Sequence, residues 1–551
     1  MNSGLLVLLG SLVIYGLGYW LYGGFLRRLF KLDEKRKTPA HTMYDGVDYV
    51  PAKPFVLFGH HFASIAGAGP IVGPILAVEF GWLPVLLWLL IGCIFVGAMH
   101  DMAAMVLSVR HQGKSIASII EEYIGFWGRQ LFIVFCLATL ILVVAVFADM
   151  VAKGFMANPA VATASILFIT ISPIFGTLVY KKGVSLLLAS LIFVPIAFSF
   201  IYVGQIIPLD IGQLFNLGES TEYFVWMIIL MLYAAAASTL PVWLLLQPRD
   251  YLSSYLLYVM LVFGLIGICF YNPELQTAAY TSFTNPKGQG LFPILFITVA
   301  CGACSGFHSL VASGTSAKQL ANEKDIQPVG YGAMLVEGVL GVVALISVAY
   351  IASGEGSAPV RFAAGLATFG EKLGIPHAYG NIFVAMSVSA FLLTSLDTAT
   401  RLARFMFQEL FIAKNSTTAD VEAKPKTSFV ASIFQNMYVA TAIVVICSLL
   451  LALSAADDIW PLFGSVNQLL AAITLLVISL WLIRRRTTPI IAIIPLIFMF
   501  AVSGSGLCSF AAKVMTKSGA LLGVLAIIIL LLSLVLILLS ILSIIKEYKK
   551  R

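Results

Sequence analysis

Adjacent histidines, His60 and His61, stand inside a hydrophobic stretch, FGHHFASIAGAGPIVGP, that runs from Phe58 to Pro74. Imidazole can carry a proton near neutral pH or ligate a metal. Neighbouring side chains on a helix point about 100° apart, so the two rings are expected to meet different partners. His100 and Asp101, in GAMHDMAAM, place a carboxylate beside an imidazole, which suits a proton relay or a structural ion pair. Asp397, in LLTSLDTATRLAR, is flanked by Thr394, Ser395, Thr398 and Thr400, with Arg401 four residues on. That pattern fits an oxygen-rich cation or proton site, an i,i+4 Asp–Arg pair that neutralises both charges, or both together. Glu337 lies in apolar sequence, AMLVEGVLG, where a carboxyl group suits proton coupling. Asp149 and Glu79, near the ends of apolar stretches, are expected to be solvated, with Lys153 as the partner of Asp149.

Cys301, Cys304 and His308 have the spacing C-x2-C-x3-H, which could supply three ligands to zinc, with His60 or His61 as a fourth. The intervening Gly302, Ala303 and Ser305 equally suit close helix packing, so no metal and no cofactor is assigned. Asn467 and Gln468 are uncharged polar groups in a hydrophobic run, suited to interhelical hydrogen bonds or to substrate contact. The chain contains no Walker A sequence, no nucleophile elbow and no HExxH, which argues against ATP-driven work and against hydrolysis; it is not expected to be an enzyme.

The elements that must position these groups are membrane spans. Of 551 residues 60% are hydrophobic and 11% charged, and mean hydropathy is +0.99. Soluble domains carry about 25% charged residues, so the chain reads as an all-α polytopic membrane protein embedded in a lipid bilayer. The net charge of +7 does not imply nucleic acid, because the basic residues gather in loops and at span ends. The seven cysteines fall in apolar segments and are read as small buried hydrophobes, without a disulfide framework. Hydropathy divides the sequence into roughly fifteen spans, near 4–26, 55–79, 82–109, 130–153, 161–180, 184–206, 223–246, 252–271, 290–313, 329–352, 379–404, 430–454, 462–483, 488–512 and 519–545. The N-terminal stretch reads as a retained first span rather than a cleaved leader. Lysine and arginine favour the cytoplasmic side. The loop with Arg27, Arg28, Lys31, Lys35, Arg36 and Lys37 therefore lies inside, and alternation from there puts the N-terminus outside and the C-terminus inside. Only Lys153, Lys287, Arg361, Lys372, Lys513 and Lys517 of the 33 basic residues fall outside.

The span 55–79 carries Gly59, Gly67, Gly69, Gly73, Pro70 and Pro74, and proline and glycine penalise a continuous helix. The span 290–313, of opposite direction, leads into ACGACSGFHSLVASGTS and is similarly rich in small and polar residues. Two interrupted spans in corresponding places of two halves point to an inverted-repeat transporter. By analogy with known transporters whose first helices are broken, five-helix repeats are expected at 55–206 and 290–483, with 1–54, 223–271 and 488–551 as additional helices and loops in a single transmembrane domain 1–551.

The run DGVDYVPAKPFVLFGHHFASIAGAGPIVGP (Asp45 to Pro74), GWLPVLLW (Gly81 to Trp88) and GAMHD (Gly97 to Asp101) resemble the carbon starvation protein A family. So do SGFHSLVASGTSAKQL (Ser305 to Leu320), TSLDTATR (Thr394 to Arg401) and LFGSVNQLLAA (Leu462 to Ala472). The long additional C-terminal region of some members is not evident. The resemblance implies a bacterial inner-membrane secondary transporter with a fold similar to the amino acid–polyamine–cation transporters, including their division into five-helix repeats. It implies small peptides as substrates during carbon starvation, with pyruvate and protons as the pair used by a subgroup. Combining the two lines, a substrate is expected to meet His60, His61, Ser64, Gly67, Gly69, Ser305, His308, Ser309, Asn467 and Gln468. Ion coupling is expected from Asp397, Glu337, Thr394, Ser395, Thr398, His100 and Asp101, with protons favoured over sodium. A small accessory protein is a further partner to test for, and a signalling or scaffold protein is the rival class.

Overall fold

The structure is a computed structural model that describes residues 2–45, 49–241, 243–351, 356–411, 429–455, 459–515 and 520–549. The basic residues between 412 and 428, together with Lys517, Lys550 and Arg551, lie outside the described residues. Among the described residues the chain is helical, with isolated β-bridges and no strand. In lipid only a helix or a closed barrel satisfies every backbone polar group internally, and this composition selects the helix.

The helices that position the site are, in chain order, α1 (Gly4–Leu29), α2 (Pro54–Ile65), α3 (Gly69–Phe80), α4 (Trp82–Arg110), α5 (Phe126–Ala157), α6 (Pro159–Lys181) and α7 (Leu186–Ile206). They continue with α8 (Glu219–Thr239) and α9 (Leu246–Tyr271). The short pieces α10 (Leu291–Thr298), α11 (Ala300–Ala303) and α12 (Gly306–Val311) follow. Then come α13 (Glu323–Ile351), the amphipathic α14 (Ala358–Glu371), α15 (His377–Glu409), α16 (Met437–Ser454), α17 (Ile459–Arg484), α18 (Ile490–Val514) and α19 (Leu522–Leu542). Thirteen of the described helices are long and apolar enough to cross a membrane, and α2 with α3, bent by 45°, makes a fourteenth crossing. The remaining expected span, 290–313, is divided among α10, α11 and α12. Helix α14 has no counterpart among the expected spans.

The core of the bundle is α17, α15 and α13, whose apolar windows are 94%, 83% and 83% buried, whereas α7, α1 and α19 keep most of theirs exposed, as lipid-facing helices do. The two broken spans cross where glycine removes the side chain. A Cβ on Gly73 would fall 2.6 Å from the carbonyl oxygen of Thr298, and one on Gly69 would overlap the Cβ of Cys301 at 2.1 Å. On the other side α12 lies against α17, where a Cβ on Gly306 would stand 2.4 Å from the carbonyl oxygen of Asn467 and 2.5 Å from the Ala471 nitrogen. Small residues thus let three backbones approach closely.

Candidate functional site

The break in the first span covers Ala66 to Ala68. Helix α2 ends at Ile65 with Ala66 outside the helical region, and α3 restarts at Gly69 with Pro70 at its second position, where the missing N–H costs nothing. No hydrogen bond of the described residues uses the N–H of Ala68 or Gly69. The second broken span opens at Cys304 and Ser305, both in extended conformation. Asn467 of α17 closes that gap from the side. Its Oδ1 accepts from the Phe307 N–H (3.0 Å), and its Nδ2 donates to Ser305 Oγ (3.0 Å) and Cys301 Sγ (3.2 Å). A small cavity lies between the breaks, walled by Ile65, Gly67, Gly69, Cys301, Ser305 and Ser395 with the rings of Phe147, Phe307 and Phe463. Ser395 is 1% exposed and its hydroxyl has no partner.

Beside the breaks stand two buried polar centres, one on each side of α2. In the first, Asp101 of α4 bridges two imidazoles: His100 Nδ1 lies 2.8 Å from Oδ1 and His308 Nδ1 lies 2.8 Å from Oδ2. The far nitrogen of His308 is 3.5 Å from Glu337 Oε2 on α13, and the ring also interacts with the Ile65 carbonyl at the end of α2. All four side chains are at most 1% exposed. Only the imidazolium offers N–H on both ring nitrogens, so a proton on His308 would serve both carboxylates. Neither Glu337 oxygen has a hydrogen-bond partner, so the carboxyl is free to take that proton. His61 approaches this centre from α2, with Nδ1 2.8 Å from Ser316 Oγ and Nε2 unpartnered.

The second centre joins α8, α9 and α15. Arg249 Nη1 donates to Asp397 Oδ2 and to Tyr233 Oη in very short contacts. The Tyr233 hydroxyl donates to the same Asp397 oxygen at 2.7 Å, and Arg249 Nη2 donates to Asp250 Oδ1 at 3.1 Å. His60 lies within electrostatic reach of Asp250, and the Thr394 hydroxyl hydrogen-bonds to it. His60 and His61 therefore do meet different partners, because α2 turns their rings to opposite centres.

Several expectations are corrected. Asp397 is not paired with Arg401, whose Nη2 donates instead to the carbonyls of Ala237 (3.0 Å) and Leu240 (2.5 Å). Arg249, expected in a loop, lies buried in α9, and the Asp397 carboxylate takes this tertiary partner over the helical neighbour. Cys301, Cys304 and His308 do not converge: the break at Cys304 turns α12 away from α11, and His308 is committed to carboxylates. Among the described residues no group of three or more His, Cys, Asp and Glu is placed to hold a metal ion. Asp149 is 5% exposed rather than solvated, held by Lys153 at 3.0 Å and by the Tyr223 hydroxyl at 2.7 Å. Cys269, Cys447 and Cys508 are exposed rather than buried. Gln468 donates to the Phe296 carbonyl at 2.6 Å, an interhelical bond. Ser64 and Ser309 bond within their own helical turns, to the carbonyls of His60 and Gly306, and Ser309 also meets Thr474. Thr398 is partly exposed. Sequence reading missed Arg249, Asp250 and Tyr233, although an adjacent Arg-Asp pair at the head of an apolar stretch was the available signal.

A many-span helical bundle whose two broken helices cross beside buried, incompletely partnered titratable groups is a polytopic membrane transporter in its architecture. The comparisons agree. The model of the family "Carbon starvation protein CstA" matches residues 3–358 and 350–506, and the chain belongs to that family. The "Peptide transporter CstA" of Bacillus subtilis is 33% identical over 541 residues, covering 90% of this chain and 88% of that protein. The Helicobacter pylori (strain J99) protein of the same name is 33% identical, covering 93% and 82%. The "Pyruvate/proton symporter BtsT" of Escherichia coli is 32% identical, covering 90% and 80%.

Proposed function

We propose that this chain is a secondary active importer of small peptides in the bacterial cytoplasmic membrane, driven by protons and working by alternating access around the two breaks. The observation that carries this reading is the cavity between the breaks. Its wall combines Gly69, whose N–H at the N-terminus of α3 is free, with the unpartnered Ser395 hydroxyl. A helix N-terminus favours an anion, and a peptide C-terminal carboxylate supplies one. Phe147, Phe307 and Phe463 would then cover the apolar part of the substrate. Of the residues expected to meet substrate, Gly67, Gly69 and Ser305 line this cavity and form the substrate side of this reading; His60, His61, Ser64, His308, Ser309, Asn467 and Gln468 surround it. Asp101 with His100, Glu337 and Asp397 with Thr394, Ser395 and Thr398 form the coupling side.

In this reading the N-terminus is outside and the C-terminus cytoplasmic, and the inverted repeats begin with α2–α3 and with α10–α12. A second reading, a monocarboxylate–proton symporter, is favoured by the small size of the cavity and by the name of the Escherichia coli relative. Uptake of labelled dipeptide and of labelled pyruvate into proteoliposomes, under an inward proton gradient, a sodium gradient or neither, separates the two. Dipeptide accumulation that follows the proton gradient supports the first. Accumulation of pyruvate alone supports the second, and accumulation of neither overturns both.

A further inference from the structure

The Arg249 centre contains two carboxylates and one guanidinium. Asp397 and Arg249 are 0% exposed and Asp250 is 4% exposed. An uncompensated charge at this depth is expensive, so the centre is stable only when one further positive charge joins it. Arg249 and Tyr233 both donate to Oδ2 of Asp397, while Oδ1, equally buried, has no partner. We propose that Arg249, Asp250, Asp397 and Tyr233 form a binding site for one monovalent cation, with the proton as its natural occupant, and that His60 exchanges that proton with the surroundings.

The remaining groups around the centre fit this assignment. His60 lies within electrostatic reach of Asp250, without an ion pair to it, and is partly exposed, whereas the three charged side chains are buried. Thr394 contributes a hydroxyl to Asp250. Arg401, one turn beyond Asp397, directs Nη2 to the backbone carbonyls of Ala237 at the end of α8 and Leu240 just beyond it. Helices α6 and α7, which pack on α9 and α15, carry no charged residue before Lys181 in the first and none in the second. Asp149 on α5 is already neutralised by Lys153. The site is separate from the Asp101–His308–Glu337 centre, which other helices build, and α2 is the element that touches both. A change in the tilt of α2 would move His60 relative to Asp250, which links occupancy of this site to the transport cycle. That link rests on the transport reading above, whereas the binding of the cation does not.

Infrared difference spectroscopy of the purified full-length protein in lipid tests the binding without any substrate. Wild type is expected to show the C=O stretch of one protonated buried carboxyl group that disappears in Asp397→Asn or in Asp250→Asn and persists in Glu337→Gln. Using both aspartate variants keeps the test sound should one of them fail to fold. Its disappearance on adding sodium chloride in place of choline chloride would support the site with sodium as a competing occupant. Loss of no band in either aspartate variant would overturn the proposal. His60→Gln is expected to keep the band and slow its exchange in heavy water; an unchanged exchange rate would overturn the role of His60. Failure of all transport assays alongside a positive infrared result would refute the transport reading alone.

Discussion

Glu323 offers a sharp test of how the basic end of the bundle is held. Its side chain is 0% exposed and receives a bidentate pair from Arg110, Nε to Oε1 and Nη2 to Oε2, both at 2.9 Å. It also accepts from Arg36 Nη1 at 3.1 Å and from the Asp33 N–H at 3.0 Å. The Arg110 side chain is 7% exposed and that of Arg36 is 41% exposed. Glu323→Gln keeps one acceptor but turns an amide donor toward guanidinium donors. Charge-assisted bonds are worth about 1.5–3 kcal/mol, and Arg110 keeps its bond to the Lys31 carbonyl at 3.1 Å. The expected loss is therefore about 2–4 kcal/mol. Arg36, able to rehydrate, should account for less than about 1 kcal/mol of it. The assay is a double-mutant cycle with Arg110→Gln, read by SDS-induced unfolding in mixed micelles. A Glu323–Arg110 coupling energy of about 2 kcal/mol is expected. Effects that add to within about 0.5 kcal/mol would refute the reasoning. The same variant should speed thiol labelling of Ala40→Cys. Ala40 is 0% exposed in the short helix Pro39–Thr42, within the connection that Glu323 helps hold through Asp33 and Arg36, together with the Ala52 N–H bond to the Gln319 carbonyl at 2.9 Å.

Four further outcomes can be checked in the same system. Gly306→Ala forces a Cβ into the backbone of α17 and should destabilise the protein by about 1–3 kcal/mol. Gly10→Ala, with nothing within 4 Å of its Cβ, should stay within about 1 kcal/mol of wild type by the same unfolding measurement. Asn467→Ala leaves the buried Phe307 N–H without its acceptor, at a cost of about 1–3 kcal/mol, and should abolish uptake by loosening the gap before α12; intact uptake would show that the gap holds itself. Asp101→Asn removes the anion between two imidazoles and should lower the thermal midpoint by intrinsic tryptophan fluorescence more than His100→Gln does. Equal midpoints would mean that the bridge to His308 contributes little.

The legibility of this chain follows from what each signal depends on. Spans and breaks depend on local composition, because every backbone polar group in lipid must find its partner nearby. The glycines and prolines of Phe58 to Pro74 accordingly mark the bend between α2 and α3 to within a few residues. The different partners of His60 and His61 follow from helical geometry, which is equally local. The partner of Asp397 is not local. Arg401 satisfies the i,i+4 rule, yet the C-terminal end of α8 and the residue after it present the carbonyls of Ala237 and Leu240 to it, leaving Asp397 to a guanidinium 148 residues away in sequence. The C-x2-C-x3-H spacing failed for the complementary reason: it assumes one continuous helix, and the extended Cys304 and Ser305 divide it. A break therefore does two things at once. It frees backbone N–H groups for a ligand, and it cancels the periodicity from which side-chain neighbours are read. In this bundle the residues hardest to place from sequence are those whose polar atoms remain incompletely partnered, Asp397 and Arg249 above all. The open Asp397 oxygen is an acceptor, and a buried carboxylate oxygen without a donor is the physical condition for a site that binds and releases a cation, whereas the open Nε–H of Arg249 is a donor and adds nothing to it.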